Sequence, residues 1–276
     1  MKIIRYESPE GELGYAAFNA DGTATKLTGS LFDKLEPTGE PAKVQRLRAP
    51  LEPAAIFCIG LNYRKHAAET NAPLPKFPVV FCKNPASVQD PDGVIELPRF
   101  LASSEVDYEC ELAIVIGKRA KNVPREKAID YVLGYTAAND VSARDWQKNG
   151  GGGQWCKGKS FDTFCPLGPC IVTPDEMKRP NSLGISTIVN GVVLQDWHTD
   201  DMIFDVPAII EFLSASMTLL PGTVILTGTP HGVGMARTPP RWLAPGDLVT
   251  VTIEGIGKLS NTVIEEPCEG ASSFHL

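Results

Sequence analysis

Short apolar runs rich in β-branched residues alternate with polar, turn-forming residues along most of this chain, a rhythm that predicts strands rather than long helices. Such runs fall at 79–83, 112–116, 185–189, 192–194, 224–227 and 248–253. Turn signals stand between them at Asn84-Pro85, Pro91-Asp92-Gly93, Asn190-Gly191, Pro221-Gly222 and Pro245-Gly246-Asp247. Asn190-Gly191 separates two apolar runs and predicts a tight hairpin, because both residues accept the positive φ such turns need. Helical spacing is confined to 61–70, whose Ala-rich centre runs up to Pro73 and Pro75, to 125–131, to 141–147 and to 205–213. Residues 1–52 read as a small β-rich N-terminal domain without candidate chemistry, and residues 53–276 as the larger domain that carries it. The expected class is α+β, with much pairing between strands distant in sequence.

One strand stands out. In the stretch 106–117, Glu109 and Glu111 are separated by one residue inside a β-branched apolar run, so both carboxylates face one side while Tyr108, Cys110 and Leu112 face the other. Two readings stand: an edge strand with a wet acidic face, or carboxylates converging on a hard divalent cation such as Mg2+. Asp140, after the apolar run 134–139 and before the helical spacing at 141–147, is either the N-cap of that helix or a third acidic ligand. Arg144 and Gln147, three apart, share a helix face near it, where the guanidinium suits a substrate carboxylate or a surface ion pair with a residue such as Asp145. His66 and Glu69 are also three apart on an expected helix, either a solvated pair or a carboxylate-oriented imidazole that activates water. Lys159 stands among apolar residues, a setting that favours a lowered pKa and places positive charge beside a developing enolate.

Composition narrows the function classes. The 276 residues are 43% hydrophobic and 21% charged, with net charge -7, and no Lys/Arg stripe offers a phosphate footprint, so nucleic acid is not an expected partner. Seven cysteines, scattered and without a Cys-x2-Cys pair, argue against a disulfide framework or zinc knuckle and read as buried filler in a reducing compartment. No run is long enough to span a bilayer, and the first residues carry neither an apolar signal core nor transit character, so the cytoplasm is the expected address and no membrane partner is expected. The glycine run at 150–153 lacks the strand and the Gly-Lys-Ser/Thr of a phosphate loop and reads as a mobile loop edge.

Five segments resemble the fumarylacetoacetate hydrolase superfamily, in the same order. They are Gly-Leu-Asn-Tyr at 60–63 followed by His66 and Glu69, Val-Asp-Tyr-Glu-Cys-Glu-Leu at 106–112, Asn-Asp-Val-Ser-Ala-Arg-Asp-Trp-Gln at 139–147, Gly-Lys-Ser-Phe-Asp-Thr-Phe-Cys-Pro-Leu-Gly-Pro at 158–169, and Thr-Gly-Thr-Pro-x-Gly-Val-Gly at 227–234. The third and fourth are most similar to the second eukaryotic branch of fumarylacetoacetate hydrolase domain-containing proteins. The resemblance spans about residues 53–265 and implies a mixed β-roll catalytic domain, usually a homodimer. It implies Mg2+ or Mn2+ at Glu109, Glu111 and Asp140, a His66–Glu69 dyad on a lid, Lys159 as an electrophilic or proton-transferring lysine, and Arg144, Gln147 and Thr229 holding substrate. His231 falls on a variable position and inherits no role, while His198 and His275 are expected at the surface. The implied substrates are 2-oxo acids or 1,3-dicarbonyl acids reacting as enolates. Oxaloacetate keto-enol tautomerisation ranks first, C-C hydrolysis of an acylpyruvate or fumarylacetoacetate-like compound close behind, and oxaloacetate decarboxylation is a further outcome. The alternative from another class is a metal and 2-oxo-acid binding sensor without catalysis.

Overall fold

The computed structural model describes residues 1–150, 153, 155–274 and 276, so Gly151 and Gly152 of the glycine run and His275 lie outside the described residues. Ten strands of the larger sheet lie side by side in the order Leu35–Pro41, Ala24–Gly29, Leu13–Phe18, Lys2–Glu7, Cys165–Val172, Val132–Asn139, Cys110–Ile116, Thr223–Leu226, Ala55–Gly60, Val79–Lys83. Most neighbours are antiparallel, but Thr223–Leu226 runs parallel to Ala55–Gly60. A second, five-stranded sheet has the order Val192–His198, Gly184–Val189, Leu248–Ile253, Gly257–Glu265, Val94–Leu97. Leu112, Ile114, Tyr135, Ile185, Val251 and Leu259 pack into one cluster drawn from both sheets. The fold is α+β, dominated by mixed sheet, as expected. Residues 1–52 do not form a separate sheet, since Lys2–Glu7 pairs with Cys165–Val172 in the register Lys2↔Val172.

The expected hairpin forms at Asn190 and Gly191, with φ of 51° and 81° and Val189 paired to Val192. Among the expected helices, Val206–Ser214 buries Val206, Ile209, Ile210 and Leu213 on one face, and Asp205 caps it by accepting from Ala208 N. Arg125–Tyr131 is a 3₁₀ helix instead of an α-helix. The helix expected from 141 starts only at Arg144, because Ser142–Ala143 pairs as a strand with Val106–Asp107 and Val141 N donates to Phe164 O. Tertiary partners for these backbone groups override the helical spacing.

Candidate active site

Cys110–Ile116, which carries Glu111, lies between Val132–Asn139 and Thr223–Leu226 with every residue buried, and Glu109 just before it is buried too, which excludes a wet edge-strand face for these acids. The N-cap reading of Asp140 fails as well, since the helix N-cap is Ala143 and Asp140 is fully buried. Oxygens of Glu109, Glu111 and Asp140 lie within 4.8 Å of one another. Around them the structure places three buried cations. Lys159 Nζ stands 2.8 Å from Glu109 Oε2 and 2.7 Å from Asp140 Oδ2, and Lys83 Nζ stands 2.6 Å from Asp140 Oδ1. Arg144 Nη2 reaches Glu109 Oε1 at 2.6 Å and its Nε reaches Asp107 Oδ2 at 2.9 Å, so this arginine is 2% exposed and not part of a surface pair.

Glu111 is the group without a cation. Among the described residues its partner is the backbone N–H of Gly228, at 2.6 Å. Burial first, then the charges of Asp140 and Glu109, push its carboxyl well above the ordinary value. Burial acts on Glu109 in the same sense, but Arg144 and Lys159 prevail and hold it below the usual carboxylate range. Burial alone would lower Lys159, yet Asp140 and Glu109 outweigh it and raise the pKa. The lowered lysine expected from the apolar neighbours is therefore corrected: two carboxylates behind the apolar shell keep the ammonium protonated. Counting Asp107, four carboxylates face the three cations Lys83, Arg144 and Lys159, which leaves Glu111 as the carboxyl without a paired cation. A divalent cation among Glu109, Glu111 and Asp140 would satisfy this donor set, whose all-oxygen character suits a hard ion.

Above the acids lies a cleft of about 150 Å³ lined in part by His66, Arg144, Gln147, Lys159 and Thr229, with Phe81, Trp155 and Met235 as its apolar wall. His66 comes from the short helix Arg64–Glu69, where its Nδ1 is 2.7 Å from Glu69 Oε1. Glu69 in turn accepts from Gly232 N at 2.9 and 3.1 Å, so the carboxylate joins the helix to the loop 227–234. Only glycine serves at 232, where φ is +97° and a Cβ would meet Leu194 O at 2.3 Å. At the other end of this segment Asn62 Nδ2 donates to Thr227 O at 2.7 Å and Phe204 O at 3.0 Å, pinning the helix entry. Arg144 Nη1 donates to Gln147 Oε1 at 3.0 Å, which leaves the Gln147 NH2 as the polar group it can offer the cleft.

All the residues singled out from the sequence thus gather in one place, with Glu69 and Asp140 one layer behind the cleft surface. His198 is exposed, and His231 is half-buried with its ring 5.0 Å from that of Trp197. Lys83 and Asp107 escaped sequence reasoning. Each left a signal: Lys83 is a charge closing an apolar strand, and Asp107 extends the Glu109, Glu111 alternation by one more step.

Comparison with known proteins follows this geometry. The family model "Fumarylacetoacetate (FAA) hydrolase C-terminal" matches residues 55–264, and the model "Rv2993c-like, N-terminal" matches residues 1–50. A Xenopus laevis protein named oxaloacetate tautomerase fahd2, mitochondrial, is 50% identical over 219 residues, 79% of this chain and 68% of its own length. The structure of 2-hydroxyhepta-2,4-diene-1,7-dioate isomerase from Mycobacterium marinum superposes with a TM-score of 0.83 at 41% identity, over 97% of this chain and 100% of that one. A fumarylacetoacetate hydrolase from Exiguobacterium antarcticum gives 0.87 at 37% identity, over 96% and 100%. A buried carboxylate cluster under a histidine-bearing helix, carried on this sheet and matched over most of the chain, makes the protein a member of the fumarylacetoacetate hydrolase family.

Proposed function

We propose that this chain is a divalent-metal-dependent enzyme acting on 2-oxo or 1,3-dicarbonyl acids through an enolate, with oxaloacetate keto-enol tautomerisation as its reaction. The observation that carries the metal dependence is Glu111, a buried carboxylate with one backbone partner and two acidic neighbours. Mg2+ or Mn2+ is the ion we assign to Glu109, Glu111 and Asp140, and when bound it would supply Lewis acidity to the substrate. With that ion and all four carboxylates ionised the buried cluster carries one net positive charge, which suits an anionic acid. The cleft, about 150 Å³ and open to solvent, admits a small acid such as oxaloacetate. The frog relative, whose name carries the tautomerase activity, supports the same choice.

The chain's own residues do the following in this reading. Glu69 accepts from His66 Nδ1 and from Gly232 N, so the imidazole carries its proton on Nδ1 and presents Nε2 as the base. Lys159, 2.8 Å from Glu109 and 2.7 Å from Asp140, supplies positive charge, or a proton, next to the oxygen on which enolate charge grows. Gln147 and Thr229 give hydrogen bonds to the acid, and Arg144 acts chiefly by holding Glu109 and Gln147 in place.

A second reading is favoured by the dyad itself: His66 Nε2 taking a proton from water makes the site a C-C hydrolase of acylpyruvate-like acids. The two are separated by following enol loss from oxaloacetate and pyruvate release from an acylpyruvate, with and without Mg2+, for the wild type, His66→Ala and Lys159→Ala. Hydrolysis is expected to fall about 10²- to 10⁴-fold in His66→Ala, with tautomerisation less dependent on the dyad. Equal rates for all three proteins on every active substrate would place the chemistry elsewhere. A homodimer is part of the same proposal, supported by the exposed Leu74, Phe77 and Phe212 near the outer strand Val79–Lys83, and light scattering tests it. No helix among the described residues is long and apolar enough to cross a membrane. The frog relative's name sets a mitochondrial address beside the cytoplasmic one expected from the sequence.

A further inference from the structure

We propose that Gln195 is a positioning residue that fixes the Thr229 hydroxyl as a hydrogen-bond donor toward the cleft, so that the site reads a carboxylate or oxo oxygen at that point. The inference rests on the reading of the cleft as a 2-oxo-acid site and adds the group that sets its polarity. Gln195 lies on Val192–His198 in the second sheet and is 1% exposed. All four hydrogen-bonding positions of its amide are taken. Oε1 accepts from Cys110 N at 3.0 Å and from Thr187 Oγ1 at 2.8 Å, while Nε2 donates to Pro230 O at 2.9 Å and to Thr229 Oγ1 at 2.8 Å.

The orientation of an amide is often ambiguous, but here two backbone groups decide it. Cys110 N can only donate and Pro230 O can only accept, so a flipped amide would oppose like groups twice in a buried setting. It follows that Thr229 Oγ1 must accept from Nε2. A hydroxyl has one proton, and among the described residues this one donates to no oxygen or nitrogen. The Cys110 thiol beside it is a weak acceptor, so the stronger acceptor for that proton is an oxygen in the cleft that Thr229 lines. Gln147 has its polarity set the same way, by Arg144 on its Oε1. The cleft thereby presents donors at two points whose direction is set by a neighbouring side chain, Gln195 for Thr229 and Arg144 for Gln147. Gln195 acts through Thr229 and is not itself catalytic.

Gln195→Glu keeps the shape and replaces the donor with an acceptor, which obliges Thr229 to turn its proton inward. Gln195→Met removes the hydrogen bonds without adding charge. The measurements are KM and kcat with oxaloacetate, and the Kd of oxalate in the presence of Mg2+ by calorimetry, oxalate being a planar dianion with acceptor atoms only. We expect KM and the oxalate Kd to rise about 10- to 100-fold, the range for losing a hydrogen bond to a charged group, while kcat moves less. In a Thr229→Val background the Gln195 substitutions should add almost nothing to the loss in oxalate affinity, which a merely structural role would not produce. Thr229→Ser, which keeps the hydroxyl, should bind oxalate more tightly than Thr229→Val. Wild-type oxalate affinity in a folded Gln195 variant overturns the proposal, as does a penalty that adds in full to that of Thr229→Val. If both Gln195 variants misfold, Thr229→Val alone reads the same donor, and wild-type affinity there also overturns it. Failure of the wild type to turn over any 2-oxo acid sinks the functional reading but leaves the oxalate test standing; failure to bind oxalate at all sinks both.

Discussion

Glu111 has one backbone N–H for company and two acids for neighbours, so without a cation its ionised form is costly. Glu111→Ala should therefore melt no lower than the wild type in the absence of metal. It should also lose the rise of about 5 to 10 °C that Mg2+ at about 100 times its Kd would give a chain of this length. Parallel melts with and without Mg2+ check this, and an undiminished rise in the variant would reassign the ion. Lys83 behaves in the opposite way. Its ammonium, fully buried, bonds Asp140 Oδ1 and Val141 O, and Lys83→Met leaves Asp140 only Lys159, which it shares with Glu109. Removal of one partner from such a pair costs about 3–5 kcal/mol, and Mg2+ should recover part of it by taking over Asp140. Urea melts of the metal-free and Mg2+-loaded variant measure both. At this scale the two glutamates were legible because period-two alternation shows in any strand. Lys83 was not, because nothing in 79–83 says which strand end approaches Asp140, fifty-seven residues away in the chain.

Elements were read best where local forces decide them. Asp205 caps Val206–Ser214 and the apolar spacing of that helix matches its buried face, so its existence and start are both local facts. Asp205→Ala should cost about 1 kcal/mol, measurable as a shift in the urea midpoint at constant slope. The segment 141–147 was misread because its first residues find strand partners in Val106–Asp107, a segment that spacing cannot see. The helix Arg64–Glu69 begins later than its alanine pattern suggests because Leu61 adopts φ 54° and Asn62 is committed to Thr227 and Phe204. Its far end is tied down by Glu69 on Gly232 N. In Glu69→Ala, amide exchange over residues 64–69 should accelerate while that of Val206–Ser214 stays unchanged; unchanged exchange in both would mean that the helix is held by other contacts.

Across the whole molecule, the cysteines are only partly the buried filler their scatter suggested. Cys58, Cys110, Cys165 and Cys170 are buried, but Cys82 and Cys156 are exposed and Cys268 is intermediate. A thiol reagent should label Cys82 and Cys156 quickly, Cys268 more slowly, and the other four only on unfolding. Burial pushes the thiols of Cys110 and Cys165 up to about 12, and burial with the nearby Asp107 charge does the same to the Tyr108 phenol. These groups bind protons more tightly folded than unfolded, so their contribution is complete only below the free thiol value of about 8.5 and is lost as pH rises from there toward 12. The urea midpoint should fall between pH 8 and pH 10.5, and a flat profile would contradict the burial of all three.

The pairing of Lys2–Glu7 with Cys165–Val172 also has a temporal side. A strand from the start of the sequence takes its place beside one that leaves the ribosome about 170 residues later, which at 5–20 residues per second is roughly 8 to 35 s of synthesis. Throughout that interval the meander Lys2–Glu7, Leu13–Phe18, Ala24–Gly29 has an open flank where Cys165–Val172 will dock, bearing Ile3 and Ile4, both nearly inaccessible in the finished protein. Nascent chains arrested before residue 165 should consequently recruit holdase chaperones through this flank, and those arrested well past residue 172 should release them.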